Sequence, residues 1–167
     1  MAGVVSDLFL TDAFLVKGTV AGKSTRISKF LDEYPRQFLA IHEATMVDLK
    51  SHQRIETPRV YVNLDEVVFA HEFLDIAGDF YQKTIAKDRE AVRIRAFYSG
   101  SVNFELAGRV RPKAYETDDV TKRFFVMEAP QIRGLDLEED QDLAVLKNLP
   151  YIVVNKTRLA YIYDFNA

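Results

Sequence analysis

Several short runs of the chain are rich in β-branched and aromatic residues, and such runs predict β-strands. Residues 60–62 and 152–154 are two of them. Each is followed by a few turn residues and then by a second apolar run, at 67–73 and at 159–165. Because aromatic and β-branched side chains pack well on a pleated surface, we expect an all-β fold.

The second half of the chain repeats the first, and a repeat of this kind decides how the fold is interpreted. The segment 57–73 runs parallel to 149–165, with a proline, a Val-Asn pair and a final phenylalanine at matching places. Two upstream blocks keep the same order in both copies: 39–44 with 124–129, and Gly18 with Gly100. This ordered similarity indicates a duplication.

The separation between matching positions increases along the chain, from 82 residues at Gly18 to 92 residues at Pro58. Insertions therefore lie between the matching blocks. The largest falls around residues 134–142, a polar acidic stretch that we interpret as an extended loop joining two strands.

Each copy is interpreted as five strands, which suit a small closed barrel without exposed edges. We predict a first small β-barrel over residues 1–75, a helical connector over 76–92 and a second small β-barrel over 93–167. The connector is expected because its apolar residues follow the three-to-four spacing of a helix with one apolar stripe. The predicted fold class is all-β with a connecting helix, arranged as two tandem five-stranded small barrels.

The end of each copy is an apolar strand, an asparagine, a short turn and a second apolar strand. This pattern resembles the end of Sm-like and SH3-like small barrels, in which a one-turn 3₁₀ element separates the last two strands. The stretch 26–31, Arg-Ile-Ser-Lys-Phe-Leu, is similar to part of a bacterial small-barrel domain family that carries no assigned activity. The resemblance covers most of both halves and implies a fold without a function.

Alternation along the last strand of each copy assigns its side chains to two faces. The larger side chains are expected inside the barrels: Val67, Phe69, His71 and Phe73 in the first copy, and Leu159, Tyr161, Tyr163 and Phe165 in the second. The opposite face carries small apolar groups where a solvent-facing strand would be polar. We therefore predict that this face is covered by the other barrel, by the connector or by a second subunit, through Val68, Ala70, Ala160 and Ile162.

Composition and charge narrow the function classes. Hydrophobic residues make up 48% of the chain and charged residues 28%, which is typical of a folded globular protein. Cysteine is absent, so disulfides, thiolate zinc sites and cysteine nucleophiles are excluded. The lack of a basic leader and of a long apolar stretch favours a cytoplasmic protein with no membrane partner. The net charge of −3 disfavours general binding to nucleic-acid phosphates.

Residues 18–25, Gly-Thr-Val-Ala-Gly-Lys-Ser-Thr, look like a phosphate-binding loop that follows a strand. Such a loop needs four residues between its glycines, whereas three separate Gly18 from Gly22. The matching place in the second copy has no lysine. We therefore interpret the segment as a glycine-containing turn between strands, and we expect no nucleotide and no other cofactor.

Candidate metal and acid–base groups are few. His42, His52 and His71 lack the spacing of a zinc site, so we expect packing roles for them and no metal. Glu43 and Glu128 recur at aligned places; paired carboxylates can act as acid and base, yet structural carboxylates in strands recur in the same way. No serine elbow or catalytic dyad is recognisable, so no catalytic residue is predicted.

Asn63 and Asn155 also recur, each at the start of a tight turn where its side chain can accept hydrogen bonds from the following N–H groups. By analogy with Sm-like barrels, the same loops could contact a ligand. Basic residues gather in comparable connections of the two copies, where ordinary solvated charge and a basic docking rim are both consistent with the pattern. The basic binding candidates are Lys17, Lys23, Arg26, Arg109 and Arg111, beside Lys29 and Lys113.

The leading interpretation is a non-enzymatic binding or scaffold protein that presents two small barrels to a protein partner or to a second copy of itself. The alternative is single-stranded nucleic-acid binding of the Sm-like kind, with Tyr34, Phe97 and Tyr115 stacking on bases beside the basic rim. A small-molecule or nucleotide sensor is the third hypothesis. The net negative charge disfavours the nucleic-acid-binding hypothesis, and the incomplete phosphate-binding loop disfavours the nucleotide-sensor hypothesis.

Overall fold

The computed structural model describes residues 6–23, 25–73, 91–98, 100, 103–116, 123–138 and 140–165. The predicted helical connector, residues 76–92, lies outside these ranges except for its last two residues. Of those two, Val92 already belongs to a strand.

The described chain contains strands, two short helices and three 3₁₀ turns. The strands of the first half are β1 (Asp7–Leu10), β2 (Phe14–Val20), β3 (Phe38–Asp48), β4 (Arg54–Asn63) and β5 (Phe69–Glu72). Those of the second half are β6 (Val92–Tyr98), β7 (Phe104–Val110), β8 (Phe124–Arg133), β9 (Tyr151–Asn155) and β10 (Leu159–Asp164). The helices are α1 (Ile27–Glu33) and α2 (Gln141–Ala144), and the 3₁₀ turns are Leu64–Glu66, Val145–Asn148 and Lys156–Arg158.

All ten strands join one antiparallel sheet in the order β10-β6-β7-β8-β9-β5-β1-β2-β3-β4, which confirms the all-β class. In each half the fifth strand lies beside the first, so β5-β1-β2-β3-β4 and β10-β6-β7-β8-β9 have the same internal order. The two halves meet where β5 pairs with β9. The sheet is not closed, because β4 and β10 are its two ends.

The second strand of each half carries a glycine beside a bulge in its neighbour. A Cβ added to Gly18 or to Gly108 would lie 2.8 Å from a carbonyl oxygen of the neighbouring strand, so only glycine fits there. In that neighbouring strand, Glu43 and Ala129 adopt the left-handed region, with φ of 50° and 49°. The pairing register shifts at this point in both halves, as expected where one strand has an extra residue.

This shared bulge corrects two of the sequence alignments. The glycine of β2 corresponds to the glycine of β7 and not to Gly100, which follows β6. Glu43 corresponds to Ala129, so its predicted match with Glu128 is wrong by one residue. A slip of one residue exchanges the two faces of a strand, and a bulge leaves no mark in the apolar pattern that would reveal the slip.

Two apolar clusters lie on opposite faces of the central strands β9, β5 and β1. In β1, Phe9 packs in one cluster while Leu8 and Leu10 pack in the other. In β5, Ala70 and Phe69 divide in the same way. The first core, as we name it, is built mainly from first-half side chains such as Val16, Leu39 and Ile41, and the second core mainly from second-half side chains such as Ile94, Leu106 and Met127. Burial on both faces explains why these central strands are continuous apolar runs.

The expected interior of the second half is wrong at β10. Tyr161, Tyr163 and Phe165 are exposed, whereas Leu159 and Ile162 pack against the second core. The pairing of β10 with β6 has a register shift between Leu159 and Tyr161. Because such a bulge reverses the alternation of side chains, the tyrosines point outward instead of inward.

Both recurring asparagines begin a 3₁₀ turn, as the sequence predicts. The Asn63 side chain accepts a hydrogen bond from the Asp65 N–H at 3.0 Å, and the Asn155 side chain accepts one from the Thr157 N–H at 3.1 Å. Asn155 is fully buried and its Nδ2 also donates to the Val67 carbonyl oxygen at 2.9 Å. The same asparagine cap therefore occurs once in a partly exposed place, at Asn63, and once in a buried place, at Asn155.

These two caps provide a matched pair of substitutions. We expect Asn155→Ala to lower the free energy of unfolding by about 2–4 kcal/mol, because it removes a cap and leaves a buried carbonyl without its donor. Asn63→Ala removes a comparable cap in a more exposed place and should cost about 1 kcal/mol or less. Urea unfolding of the two variants measures the difference. Equal losses would contradict the role assigned to the buried Nδ2 group.

Candidate functional site

The junction between β5 and β9, which we call the internal joint, is the strand pairing that joins the two halves in one sheet. Phe69 lies opposite Val154 and Ala70 opposite Val153. The Asn155 N–H donates to the Val68 carbonyl oxygen at 2.9 Å. All six side chains are buried. The joint is therefore a dry, hydrogen-bonded strand pairing.

His71 lies at one end of the internal joint. Its Nδ1 is 2.8 Å from the Tyr151 carbonyl oxygen, and the two rings are 4.8 Å apart. Burial lowers the pKa of His71, although the Tyr151 carbonyl and the charge of Asp7 oppose that change. The ring therefore favours its neutral form, with Nδ1–H as the donor to the carbonyl.

The sign of this effect on stability follows from proton linkage. An unfolded histidine has a pKa of about 6.5, so the unfolded chain holds more protons than the native chain just below that pH. We expect the free energy of unfolding to fall as the pH decreases from about 7.5 to about 5.5, with His71 contributing at most about 1.4 kcal/mol per pH unit. His71→Gln should flatten this slope in denaturant titrations at each pH. Identical slopes in the two proteins would show that His71 does not titrate with folding.

A buried ionic cluster lies beside the internal joint. It includes Lys23, which belongs to the segment 18–25 that looks like a phosphate-binding loop. The Lys23 amine is 2.6 Å from Asp7 Oδ1 and 3.3 Å from Glu72 Oε1. The other Glu72 oxygen accepts the backbone N–H of Ile27, at the start of α1, at 2.8 Å. The single positive charge of Lys23 thus lies between two carboxylates that face each other across β1 and β5. Its amine is occupied by protein groups.

The acidic insertion of the second half folds over the first half. Asp142, in α2, is 2.7 Å from the Lys17 amine and 2.9 Å from an Arg54 nitrogen. Burial opposes ionisation of this carboxyl, but the hydrogen bonds and charges of Lys17 and Arg54 hold the pKa of Asp142 below its usual value. Leucines of the insertion pack in the second core. The prediction of an extended loop is therefore wrong from Gln141 onward, where the chain becomes helical.

An arginine-rich face lies on β6, β7 and β8, on the side away from the second core. Arg95 makes a two-point hydrogen bond with Glu105 and its guanidinium lies 5.5 Å from the centre of the Phe97 ring. The hydrogen bond from Arg95 lowers the pKa of Glu105, whose burial opposes the change. Two adjoining clefts of about 320 and 430 Å³ open on this face. Their lining includes Arg93, Arg95, Arg109, Arg133 and Phe165.

The two ends of the sheet carry aromatic side chains in solvent. On β10 and just after it, Tyr161, Tyr163 and Phe165 are exposed, and the rings of Tyr163 and Phe165 stack edge to face 4.8 Å apart. At the other end of the sheet, Phe38 and Tyr61 are exposed on β3 and β4. Large apolar side chains gathered at unpaired strand edges are typical of an interaction surface.

The predicted binding residues do not come together. Lys17 and Lys23 pair with carboxylates, as described above. Arg26 precedes α1, and its carbonyl accepts the Phe30 N–H. Arg111 begins an exposed turn, while Arg109 lies 3.6 Å from Glu128 on the arginine-rich face.

Of the predicted interface residues, Val68 and Ala70 are fully buried in the two cores. Ile162 is half-buried against the second core, and Ala160 is exposed. The first-half pair thus lies within the internal joint, whereas the second-half pair lies at a free end of the sheet.

Metal-binding groups do not cluster in the part of the chain that the structure describes: it contains no set of three histidine, aspartate or glutamate residues that could hold a metal ion. Within the same ranges, no helix is long and apolar enough to cross a membrane. No protein-family model, curated protein or solved structure matches the chain.

Arg93, Arg95 and Arg133 were missed as candidates by the sequence reasoning. The signal for the first two is the alternation of arginine with Ile94 and Ala96, which places both arginines on one face of a strand. The partnership with Arg133 depends on the pairing of β7 with β8, which is not visible along the chain.

Proposed function

We propose that the chain is a non-enzymatic scaffold protein, built from two repeated small barrels of the SH3-like or Sm-like kind, that binds a protein partner through an open sheet edge. The observation that carries this proposal is the exposed aromatic surface of β10. Tyr161, Tyr163 and Phe165 lie together there, beside a strand edge that no other strand of the described ranges pairs with. Such an edge combines main-chain hydrogen bonding with side-chain anchors, which is how strand-addition partners are bound.

The non-enzymatic part of the proposal is supported by where the candidate chemical groups lie. Lys23 is held between two buried carboxylates. His71 is buried with its Nδ1 directed at a backbone carbonyl. Groups that are committed to structural contacts in this way are poorly placed to meet a substrate.

The repeated-barrel part is supported by the shared strand order of the two halves and by their shared bulges. Each half also ends in an asparagine-capped 3₁₀ turn between its fourth and fifth strands. A duplicated small module that buries its core against its copy is a stable arrangement for halves of this length.

Photo-crosslinking in cells tests the scaffold function. A benzophenone amino acid at Tyr163 should give a discrete covalent adduct with a protein, because that side chain is exposed on the proposed surface. The matched control carries the same group at Lys50, in an exposed turn far from β10 along the chain. If the Tyr163 position yields no protein adduct beyond that of the Lys50 position, the proposed function is wrong.

The arginine-rich face favours one second candidate, binding of single-stranded nucleic acid. Several guanidinium groups surround a cleft beside Phe165 there, and arginine with aromatic rings is the usual combination for phosphates and bases. Fluorescence anisotropy with labelled single-stranded RNA at low and moderate salt tests it. Salt-sensitive binding that is lost in Arg93→Ala with Arg133→Ala would support this function.

A further inference from the structure

The internal joint uses two particular strands of the repeat. β5 is the last strand of the first half, and β9 is the fourth strand of the second half. The corresponding strands of the opposite halves are β10 and β4, and these are the two ends of the sheet, each with one edge unpaired among the described residues. Each chain therefore carries one completed joint and the two separate halves of another.

The pairing register identifies which residues correspond. Phe38 pairs with Asn63 in the first half, and Phe124 pairs with Asn155 in the second. Val67 and Leu159 each directly follow the 3₁₀ turn. Counting from these positions matches β4 with β9 and β5 with β10, residue by residue.

The exposed aromatics occupy the positions that the internal joint buries. Five aromatic side chains at the sheet ends are exposed: Phe38 (51%), Tyr61 (58%), Tyr161 (72%), Tyr163 (58%) and Phe165 (50%). Four of their counterparts at the internal joint are buried: Phe124 (8%), Val153 (0%), Phe69 (0%) and His71 (4%). The fifth counterpart, Phe73, packs partly against the second core. These five side chains are therefore exposed at positions that a neighbouring strand covers in the other half.

An ion pair and a buried hydrogen bond of the internal joint could also form between β10 and β4 of two chains. Arg158 lies 3.7 Å from Glu66 across the joint, and these two residues are counterparts of each other in the repeat. At a second joint, Arg158 of one chain would again face a Glu66. The buried amide of Asn155 donates to the Val67 carbonyl, and Asn63 is placed to make the same bond to the carbonyl of Leu159.

We infer that the chain assembles head to tail, with β10 of one copy pairing antiparallel with β4 of the next copy and repeating the internal joint. This inference rests on the proposed scaffold function and names the partner at the sheet edge as a second copy of the chain. The register transferred from the internal joint places Tyr161 opposite Val62 and Ile162 opposite Tyr61. Because the two surfaces differ, each added copy leaves one surface free, and growth ends when a ring closes or continues as a filament.

Sedimentation of the purified full-length chain over a concentration series is the first measurement. We expect species of at least twice the monomer mass. Tyr61→Asp and Tyr163→Asp should each abolish them, because a charge would be buried in the joint. Both side chains are exposed in the single chain, so each variant should keep the wild-type circular dichroism spectrum. Ile55→Asp is the matched control: Ile55 is exposed on β4 but lies before the first residue that corresponds to β9.

Mixing the two variants tests the head-to-tail arrangement. Tyr61→Asp retains an intact β10 surface, and Tyr163→Asp retains an intact β4 surface. An equimolar mixture should therefore form a one-to-one dimer, although each variant alone is a monomer. A symmetric contact of one surface with itself would give no such recovery.

Three outcomes would overturn the inference: a wild-type chain that is monomeric at all concentrations, an assembly unaffected by both substitutions, or a mixture that stays monomeric. If the wild type is monomeric while the crosslinker at Tyr163 captures a different protein, the scaffold function stands and the self-assembly fails. If neither a second copy nor another protein is captured, both fail.

Discussion

Replacing Lys23 by methionine should lower the free energy of unfolding by about 3–5 kcal/mol, the range expected when one partner of a buried ion pair is removed. The substitution leaves the carboxylates of Asp7 and Glu72 directly opposite each other in adjacent strands. Asp7 is fully buried and Glu72 nearly so. Two like charges at such positions repel each other, and neither can reach water.

Two comparisons separate this effect from the loss of an ordinary ion pair. Adding Asp7→Asn to Lys23→Met should recover part of the loss, because one of the two uncompensated charges is removed. Lys147→Met removes the partner of Glu138 in a pair that is 39% and 84% exposed, and it should cost about 0.5 kcal/mol or less. Guanidinium unfolding measures all three variants. A loss below about 1 kcal/mol for Lys23→Met would mean that water screens the cluster.

The sequence predicted those features that local chemistry determines. The strands and the asparagine caps at Asn63 and Asn155 follow from residues that lie close together in the chain, and the repeat follows from comparing such short blocks. The apolar residues of the run 67–70 also predicted that both faces of this strand are covered, and Val68 and Ala70 are indeed buried, one in each core.

The features that were missed depend on bulges and on contacts between the halves. Glu43 and Ala129 adopt positive φ without being glycine, so nothing in the sequence marks the extra residue that shifts the alignment. The bulge beside Leu159 reverses the faces of β10 and places Tyr161 and Tyr163 outside. The sequence shows Lys23 only among its neighbours in the glycine-containing segment 18–25. Its ion-pair partners, Asp7 and Glu72, lie in β1 and β5 and are distant in sequence.

Phe69 and Tyr161 occupy corresponding positions in the repeat but differ in environment, so truncating each to alanine isolates the effect of the joint. Phe69 is fully buried in the second core, opposite Val154. Phe69→Ala should cost about 3–5 kcal/mol of unfolding free energy, since it removes a buried aromatic ring and leaves a cavity. Tyr161→Ala should change the stability of the isolated chain by less than about 0.5 kcal/mol.

Concentration separates the two roles further. If copies join through β10, the wild-type melting temperature rises with protein concentration, because association stabilises the native state. Tyr161→Ala should lose this dependence while keeping the stability of the dilute wild type. Phe69→Ala should melt earlier at every concentration. Calorimetry over a dilution series distinguishes these behaviours, and a Tyr161→Ala protein that is strongly destabilised even when dilute would show that this tyrosine already packs within its own chain.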